Sequence, residues 1–244
     1  MPPLLLFDVD GTLTAPRQPC DRPLVDYLFS LRAQGLCHLA VVSGSDMAKI
    51  EEQLGKDVTE RFDFVFSENG LVAFKGQHLI GKESIVSFLG EDSLQEFTND
   101  ALLLVARTKL PFKRGTFIEM RTGMVNVCPC GRQVSQAERD SFAEYDKKHR
   151  VRQHMVKELD RKWGPKGLGF GIGGQISFDV MPQGWDKTFV LRFLHDYRTI
   201  HFFGDKTRPG GNDAEICDHA RTEGHSVVSP QDTLAQVKKL FPGV

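Results

Sequence analysis

The first eighty residues alternate short apolar runs with amphipathic segments, and this alternation constrains the fold more than any other feature of the sequence. Residues 4–9, 39–42 and 62–66 have the length and composition of strands buried on both faces. Apolar residues at helical spacing fill the segments between them, 23–34 and 46–54, and a glycine follows each segment. This strand–helix–strand–helix–strand order predicts a parallel sheet with right-handed crossovers.

The middle of the chain departs from that alternation. A capping-box pattern at residues 135–138 (SQAE) marks the start of one helix, and Gly-containing turn signals mark two hairpins. Hairpins combined with helices indicate an antiparallel α+β module. The predicted elements are a long helix (92–107), a hairpin (115–121 and 124–128), helices beginning at 135 and 151, and a second hairpin (168–172 and 175–181).

The α/β alternation resumes near residue 185, so one domain is predicted to be interrupted by another. The later elements are helix 185–194, strand 199–203, helix 212–220, strand 226–228 and a helix capped by Ser229. The predicted fold is α/β, with a Rossmann-like parallel-sheet core and an inserted α+β cap domain built on an antiparallel sheet. The core comprises residues 1–81 and 185–244, and the cap comprises residues 82–184.

Charge and cysteine usage exclude several classes of protein. Lys and Arg number 31 against 32 Asp and Glu, so the net charge of −1 indicates no nucleic-acid partner and no membrane surface. The apolar runs are too short for a signal peptide or a membrane span. Five scattered cysteines predict reduced thiols in a cytoplasmic protein. Cys128 and Cys130 are the one close pair, and a zinc site would need a second pair.

Two acids follow the first predicted strand at a spacing that favours a functional site. Asp8 and Asp10 stand at the carboxyl end of that strand, where open parallel sheets bind ligands, and Gly11 follows. A simple turn is the alternative interpretation, but a turn needs only one such acid. Two neighbouring carboxylates repel each other, and a hard cation between them relieves that repulsion.

A third acid follows a later predicted strand. Asp205 ends the run at residues 202–205 (FFGD), and Asn212 and Asp213 come seven and eight residues after it. Asp8, Asp10 and Asp205 are therefore the predicted ligands of one Mg²⁺, with support from Asn212 and Asp213.

Two further residues complete a predicted phosphoryl-transfer site. Ser45 precedes a helix and Lys187 opens another. The non-functional interpretations are that Ser45 is only a helix cap and that Lys187 is only a solvated surface residue. A carboxylate can attack phosphorus, while a hydroxyl and an ammonium group neutralise the phosphoryl oxygens. Asp8 is the natural nucleophile and Asp10 the natural acid/base, although the spacing leaves the reverse assignment open.

These residues resemble the four motifs of the haloacid dehalogenase superfamily. Longer strings across nearly the whole chain are similar to the eukaryotic-type phosphomannomutase family. They are residues 7–17 (FDVDGTLTAPR), 114–121 (RGTFIEMR), 173–180 (GGQISFDV), 184–187 (GWDK) and 202–213 (FFGDKTRPGGND).

The resemblance implies a reaction and its cofactors. It implies interconversion of mannose 6-phosphate and mannose 1-phosphate through a phosphorylated Asp8 and a hexose bisphosphate intermediate, feeding GDP-mannose synthesis. Mg²⁺ and a hexose 1,6-bisphosphate activator are the implied cofactors, and the implied assembly is a homodimer formed through the cap domain. Hexose phosphates are the expected partners.

The resemblance also implies further site residues. The substrate-binding positions that match are Arg17, Arg121, Arg132, Arg139, Ser177 and Asp179. A second cation site would involve Cys217, His219 and Thr222, where His219 replaces an expected acid. The residues of strand 175–180 alternate between apolar and polar, which also fits an ordinary half-solvated strand.

Two other functions remain as alternatives. One is a Mg²⁺-dependent sugar-phosphate phosphatase of the same superfamily, in which Asp10 activates water. The other is a non-catalytic protein that binds sugar phosphates, which would have no use for a nucleophile. The preference between mannose and glucose is left open, because these epimers differ by one hydroxyl.

Overall fold

A computed structural model describes residues 1–15, 18–20, 22–172 and 174–242. The chain forms two compact units. The core unit comprises Met1–Lys82 and Gly184–Val244, and the inserted unit comprises Glu83–Gln183. These bounds lie one residue from the predicted ones at each junction.

The strands and helices follow one another in the order expected of an interrupted α/β domain. The strands are β1 (Leu4–Asp8), β2 (His38–Val42), β3 (Phe64–Ser67), β4 (Val72–Lys75), β5 (His78–Lys82), β6 (Ile118–Met120), β7 (Val125–Val127), β8 (Leu168–Gly171), β9 (Phe178–Pro182), β10 (Ile200–Gly204) and β11 (Glu223–Ser226). The α-helices are α1 (Arg22–Ala33), α2 (Met47–Leu54), α3 (Val58–Arg61), α4 (Ile85–Leu89), α5 (Glu91–Arg107), α6 (Gln136–His149), α7 (Val151–Trp163), α8 (Ala214–Cys217) and α9 (Pro230–Leu240). The 3₁₀ helices are Glu68–Gly70, Gly164–Lys166 and Lys187–Phe193.

The core unit is built on a seven-stranded sheet with the order β11-β10-β1-β2-β3-β4-β5. β11, β10, β1, β2 and β3 pair in parallel, whereas β4 and β5 are antiparallel additions at one side. Asp8 aligns with Val42, and Phe7 aligns with Phe203. The carboxyl ends of three neighbouring strands, β10, β1 and β2, therefore meet at one edge of the sheet.

Side chains of β1 alternate between two apolar layers. Leu5 and Phe7 pack in the layer that contains Leu28 of α1, whereas Leu4 and Leu6 pack in the layer that contains Leu191. Every residue of β1 is buried. A strand covered on both faces is apolar throughout, so its terminal Asp8 is an exception that needs a functional or structural partner.

The inserted unit has a four-stranded antiparallel sheet with the order β6-β7-β9-β8. Its core contains Phe97 of α5 and Trp163 of α7, whose rings meet edge to face at 5.5 Å. The Trp163 indole donates to the Asp100 carboxylate at 2.8 Å, which satisfies its one polar atom. The parallel core sheet and the separate antiparallel sheet confirm the predicted fold class. The capping box at Ser135 and Glu138 is also confirmed.

Several element boundaries were wrong, chiefly after residue 185. The predicted helix 212–220 is the single turn α8, because the chain must turn back to place β11 beside β10. The Thr222 hydroxyl stabilises that turn by donating to the Ile216 carbonyl at 2.5 Å. The predicted strand 226–228 lies three residues too late, and β11 itself is a polar edge strand that the apolar pattern does not reveal.

Two other elements differ in kind. The predicted helix 185–194 is the 3₁₀ helix Lys187–Phe193. β9 begins at Phe178, so Gln175 and Ile176 lie in the preceding turn and the predicted alternation does not extend to them. No helix in the described part of the chain is both long enough and apolar enough to cross a bilayer.

Candidate active site

Three carboxylates converge at the carboxyl edge of the core sheet. Asp8 ends β1, Asp205 follows β10, and Asp213 lies just before α8. One oxygen from each lies within 4.8 Å of the others. Asp213 is completely buried and Asp8 is 6% exposed, so these charges have little access to solvent.

Lys187 supplies the positive charge at the centre of this cluster. Its ammonium group pairs with Oδ1 of Asp8 and, at 2.5 Å, with Oδ1 of Asp213. Its side chain is completely buried. Burial alone would lower the pKa of Lys187, but the two carboxylates outweigh that effect and hold the pKa above its ordinary value. The lysine therefore stays charged.

Burial has the opposite effect on the acids. It raises the pKa of Asp8 to about 6, against the pull of Lys187 and with a contribution from Asp213. Burial is also the main reason that the pKa of Asp205 is raised. The cluster thus holds three carboxylates and one ammonium group, which pairs with Asp8 and Asp213, so negative charge is in excess.

The donor set of this cluster fits a hard divalent cation. Oδ1 of Asp205 is buried and has no hydrogen-bond partner among the described residues. An orphaned carboxylate oxygen beside two other acids is a cost that a bound cation removes, and carboxylates are the ligands that Mg²⁺ prefers. Asp8, Asp205 and Asp213 are therefore the side chains that the structure offers to Mg²⁺.

Asp10 has a different environment from that three-acid cluster. Its Oδ1 accepts a hydrogen bond at 2.8 Å from Nε2 of Gln53, which also donates to the Thr14 hydroxyl at 3.1 Å. The Gly11 amide closes this turn on the Thr14 carbonyl at 2.7 Å. The predicted ligands were Asp8, Asp10 and Asp205, whereas the structure brings together Asp8, Asp205 and Asp213. Asp10 is not in this group because it lies beyond β1 in a turn.

Gly11 allows the two strand ends to approach each other. Its φ is +86°, a conformation that other residues rarely adopt. A Cβ atom there would lie 2.5 Å from Oδ2 of Asp205. A side chain at this position would therefore push Asp205 out of the cluster.

Ser45 lies in the loop between β2 and α2. Its amide donates to the Ser43 hydroxyl at 3.1 Å, while Asp46 caps the helix. Asp46 is therefore the N-cap of α2, so Ser45 does not have that role. Because Val42 aligns with Asp8, this loop follows the strand beside the nucleophile candidate.

The remaining predicted core residues lie next to Asp213 in the sequence, at the second cation position, or outside the described part of the chain. Asn212 precedes it, and Oδ2 of Asp213 accepts from the Lys206 amide at 2.9 Å. At the second cation position, Thr222 donates to main-chain carbonyls and Nδ1 of His219 accepts from the Arg221 amide at 3.1 Å. These contacts build a turn, and the second cation site stays a prediction. Arg17 lies outside the described residues.

The inserted unit carries a second polar cluster, which we call the arginine cluster: Arg121, Arg132 and their shared partner Glu119. Oε1 of Glu119 is 2.8 Å from Nη2 of Arg121, and Oε2 is 2.7 Å from Nε of Arg132. The arginine side chains are 43% and 30% exposed. Glu119 therefore sets two guanidinium groups side by side at the surface of this unit.

Asn126 connects Arg132 to two other predicted site residues. Its Oδ1 accepts from Nη1 of Arg132 at 2.7 Å, while its Nδ2 donates to Asp179 at 2.7 Å and to Ser177 at 3.0 Å. Asn126 is buried in the middle of β7. Arg139 is joined more loosely, by a 3.4 Å hydrogen bond from its Nη2 to the Arg132 carbonyl.

Sequence reasoning missed Glu119, Asn126 and Gln53. Asn126 left one usable signal, because it is a polar residue between Val125 and Val127 in a buried strand. Glu119 and Gln53 left none, since acids and amides are common on strands and helices with a solvated face. Their roles become visible only through the contacts that they make.

Comparison with known proteins shows what the chain is related to. The family model described as eukaryotic phosphomannomutase matches residues 24–243. Proteins named phosphomannomutase from Triticum aestivum and Oryza sativa subsp. japonica are 55% and 56% identical over 238 residues. Each alignment covers 98% of this chain and 95% of the relative.

Solved structures share the fold at much lower identity. Trehalose-6-phosphate phosphatase of Aspergillus fumigatus is 17% identical with a TM-score of 0.61, and covers 98% of this chain and 92% of its own. A haloacid dehalogenase-like hydrolase from Bacteroides thetaiotaomicron is 15% identical with a TM-score of 0.62, and covers 99% and 100%. The family match and the extent of the identity settle the relationship: the chain belongs to the eukaryotic phosphomannomutase family.

Proposed function

We propose that this chain is a phosphomannomutase, an isomerase that interconverts mannose 6-phosphate and mannose 1-phosphate. The observation that carries the proposal is the buried cluster of Asp8, Lys187, Asp205 and Asp213, in an orientation suited to phosphoryl transfer. The family membership selects a mutase over the other activities that such a cluster supports.

Asp8 is the proposed nucleophile. Lys187 holds one carboxylate oxygen and keeps the group ionised, so that the other oxygen attacks phosphorus and forms an aspartyl-phosphate. Bound Mg²⁺ supplies positive charge that offsets the charge developing on the transferring phosphoryl group. The Ser45 hydroxyl and the Lys187 ammonium group are the proposed donors to the phosphoryl oxygens.

Asp10 is the proposed acid/base. A group in this role must hold or release a proton at a sugar oxygen, so its carboxylate must be held in a fixed orientation. Gln53 holds Asp10 by donating from Nε2 to its Oδ1 at 2.8 Å. Asp8 lies in the cluster with Lys187, Asp205 and Asp213, where the phosphoryl group would be neutralised. This position supports Asp8 as nucleophile and Asp10 as acid/base, rather than the reverse.

The inserted unit is proposed to bind the phosphate that is not being transferred. Guanidinium groups bind phosphate through paired hydrogen bonds and keep their charge. Arg121 and Arg132 both pair with Glu119, and Arg139 donates a hydrogen bond to the Arg132 carbonyl. Arg17 belongs to the same proposed set. Ser177 and Asp179 are the proposed partners of the sugar hydroxyls.

A mutase of this type needs priming and an assembly. We propose that a hexose 1,6-bisphosphate phosphorylates Asp8, and that the product feeds GDP-mannose synthesis in the cytoplasm.

A homodimer formed through the inserted unit is supported by α5, whose buried residues include Phe97 while Leu102 and Leu103 are 41% and 53% exposed. Replacing Leu103 with Glu should convert the dimer to a monomer in light scattering.

Product analysis with mannose 1-phosphate tests the proposed function. With Mg²⁺ and glucose 1,6-bisphosphate we expect mannose 6-phosphate, with little free phosphate, and a strong dependence on the bisphosphate. Asp8→Asn is the control that should be inactive. Release of free phosphate without need of the bisphosphate would instead identify a phosphatase, and the absence of turnover would identify a binding protein.

A further inference from the structure

Two cysteines of the inserted unit lie in contact outside the proposed site. Cys128 and Cys130 flank Pro129 in a turn closed by a 3.0 Å hydrogen bond from the Gly131 amide to the Cys128 carbonyl. Their sulfur atoms are 3.9 Å apart and both residues are completely buried. Two thiols in van der Waals contact need to move by only about 2 Å to reach the length of a disulfide bond.

The surroundings of the two sulfur atoms differ. The hydrogen bond between the thiols lowers the pKa of Cys128, and Arg132 and Arg139 act in the same direction. The same hydrogen bond, together with burial, raises the pKa of Cys130. Arg132 and Arg139 stabilise a thiolate on Cys128, which favours Cys128 as the attacking sulfur.

We propose that Cys128 and Cys130 form an oxidation site that takes hydrogen peroxide and closes to an intramolecular disulfide. The burial of both residues favours a small oxidant, because glutathione disulfide is a bulky molecule that must reach a sulfur atom along a defined line. This assignment stands on the contact between the thiols and is independent of the proposed function.

The reaction balances without any other co-reactant. The Cys128 thiolate attacks one peroxide oxygen and the O–O bond breaks. The departing hydroxide takes up the proton that Cys128 lost on ionising and becomes water, which leaves a sulfenic acid on Cys128. The Cys130 sulfur then attacks the Cys128 sulfur. The S–O bond breaks, the Cys130 proton leaves with that oxygen as a second water, and the S–S bond is formed. Two thiols lose two electrons and the peroxide gains them.

The turn that carries the dithiol also carries part of the arginine cluster. Arg132 follows Cys130 by two residues, and its amide donates to the Thr116 carbonyl at 3.0 Å. The Arg114 amide donates to the Cys130 carbonyl at 2.8 Å. Both hydrogen bonds tie the turn to residues 114–116, so drawing the sulfur atoms together strains it, and we expect oxidation to shift the Arg132 guanidinium.

Peptide mapping of the reduced protein after peroxide treatment tests the proposal. We expect the peptide with Cys128 and Cys130 to lose about 2 Da, reversibly with dithiothreitol. In Cys130→Ser the disulfide cannot form, and the peptide should instead carry a sulfenic acid on Cys128, a gain of about 16 Da that dimedone traps once the protein is denatured. Glutathione disulfide should modify the pair more than tenfold more slowly than peroxide at equal concentration.

Cys37 is the internal control, because it is equally buried and burial raises its pKa to about 12. Consumption of Cys37 at the same rate as the pair, or an unmodified pair when the half-buried Cys217 is oxidised, would overturn the proposal. Oxidised protein should also show a KM for mannose 1-phosphate raised at least threefold. Only the KM measurement rests on the proposed function. An unchanged KM would refute the coupling to Arg132, while the peptide mass tests formation of the disulfide independently.

Discussion

The two units bring charged groups together in opposite ways. In the core unit, Asp8, Lys187 and Asp213 are buried, and one ammonium group serves both acids. In the inserted unit, Arg121 and Arg132 share Glu119 near the surface, where solvent reaches all three side chains. The core cluster has an excess of negative charge, whereas the arginine cluster has an excess of positive charge.

This difference separates two tasks. A buried ion pair loses several kcal/mol of stability when one partner is removed, so its geometry is held firmly and its charges stay fixed. An exposed pair contributes little to stability, and a ligand can replace one partner at small cost. The core cluster is therefore suited to chemistry at one fixed atom, and the arginine cluster to binding and release of a phosphate group.

Removal of the buried cation should have the largest effect. Lys187→Met leaves Asp8 and Asp213 without their partner, so we expect a loss of about 3–5 kcal/mol in the free energy of unfolding. Urea denaturation in EDTA measures it, and Mg²⁺ should restore part of the stability. A loss below about 1 kcal/mol would mean that the cluster is not desolvated as the structure indicates.

The arginine cluster should show the reverse pattern. Arg132→Ala removes charge-assisted hydrogen bonds to phosphate, so we expect KM for mannose 1-phosphate to rise about 10- to 100-fold. Because the variant also leaves the buried Oδ1 of Asn126 without its donor, the free energy of unfolding should fall by about 1 kcal/mol, well below the loss in Lys187→Met. Arg114→Ala is the matched control, because Arg114 is a surface arginine of the same unit paired with Glu138. An equal rise of KM in both variants would remove the special role of Arg132.

Asn126 should combine both kinds of effect. Asn126→Ala deprives Arg132, Ser177 and Asp179 of a shared buried partner, so we expect a loss of about 1–3 kcal/mol in the free energy of unfolding. Because the three side chains also lose their alignment, KM should rise with kcat nearly unchanged. Urea denaturation and steady-state kinetics separate these effects. A variant with unchanged stability and unchanged KM would show that Asn126 does not align Arg132, Ser177 and Asp179 for binding.

The smallest expected effect lies at the edge of the core sheet. His201 and His225 are neighbours, with ring nitrogens 3.1 Å apart, and burial lowers the pKa of each. At these two histidines the unfolded chain therefore binds more protons than the folded one near pH 6, so their contribution to stability should fall as the pH drops below about 6.5. His201→Gln should flatten this dependence in thermal denaturation measured from pH 7.5 to 5.5. An unchanged slope would assign it to other groups.

The fold was largely predictable because it rests on periodicity. β1 and β2 are apolar runs separated by the amphipathic helix α1, which Gly35 follows, and this order of elements favours a parallel sheet. The errors fall where tertiary packing decides, as in α8, whose helical pattern is cut short by the return of the chain into β11.

The site was predictable only in part. Asp8 and Asp205 were foreseeable because acids at the ends of parallel strands must meet. In the turn after β1, Asp10 contacts Gln53. The second acid that pairs with Lys187, beside Asp8, is instead Asp213. No local pattern encodes such a contact, since it joins residues far apart in the chain.

The central claim is that Asp8 accepts the phosphoryl group, and mapping the phosphorylated residue tests it most directly. After incubation with Mg²⁺ and glucose 1,6-bisphosphate labelled with ³²P, the wild-type protein should carry the label, and borohydride reduction should release the labelled phosphate and convert residue 8 to homoserine. Asp8→Asn should carry no label, and Asp10→Asn should still be labelled. Homoserine at position 10, or label that persists in Asp8→Asn, would contradict the account.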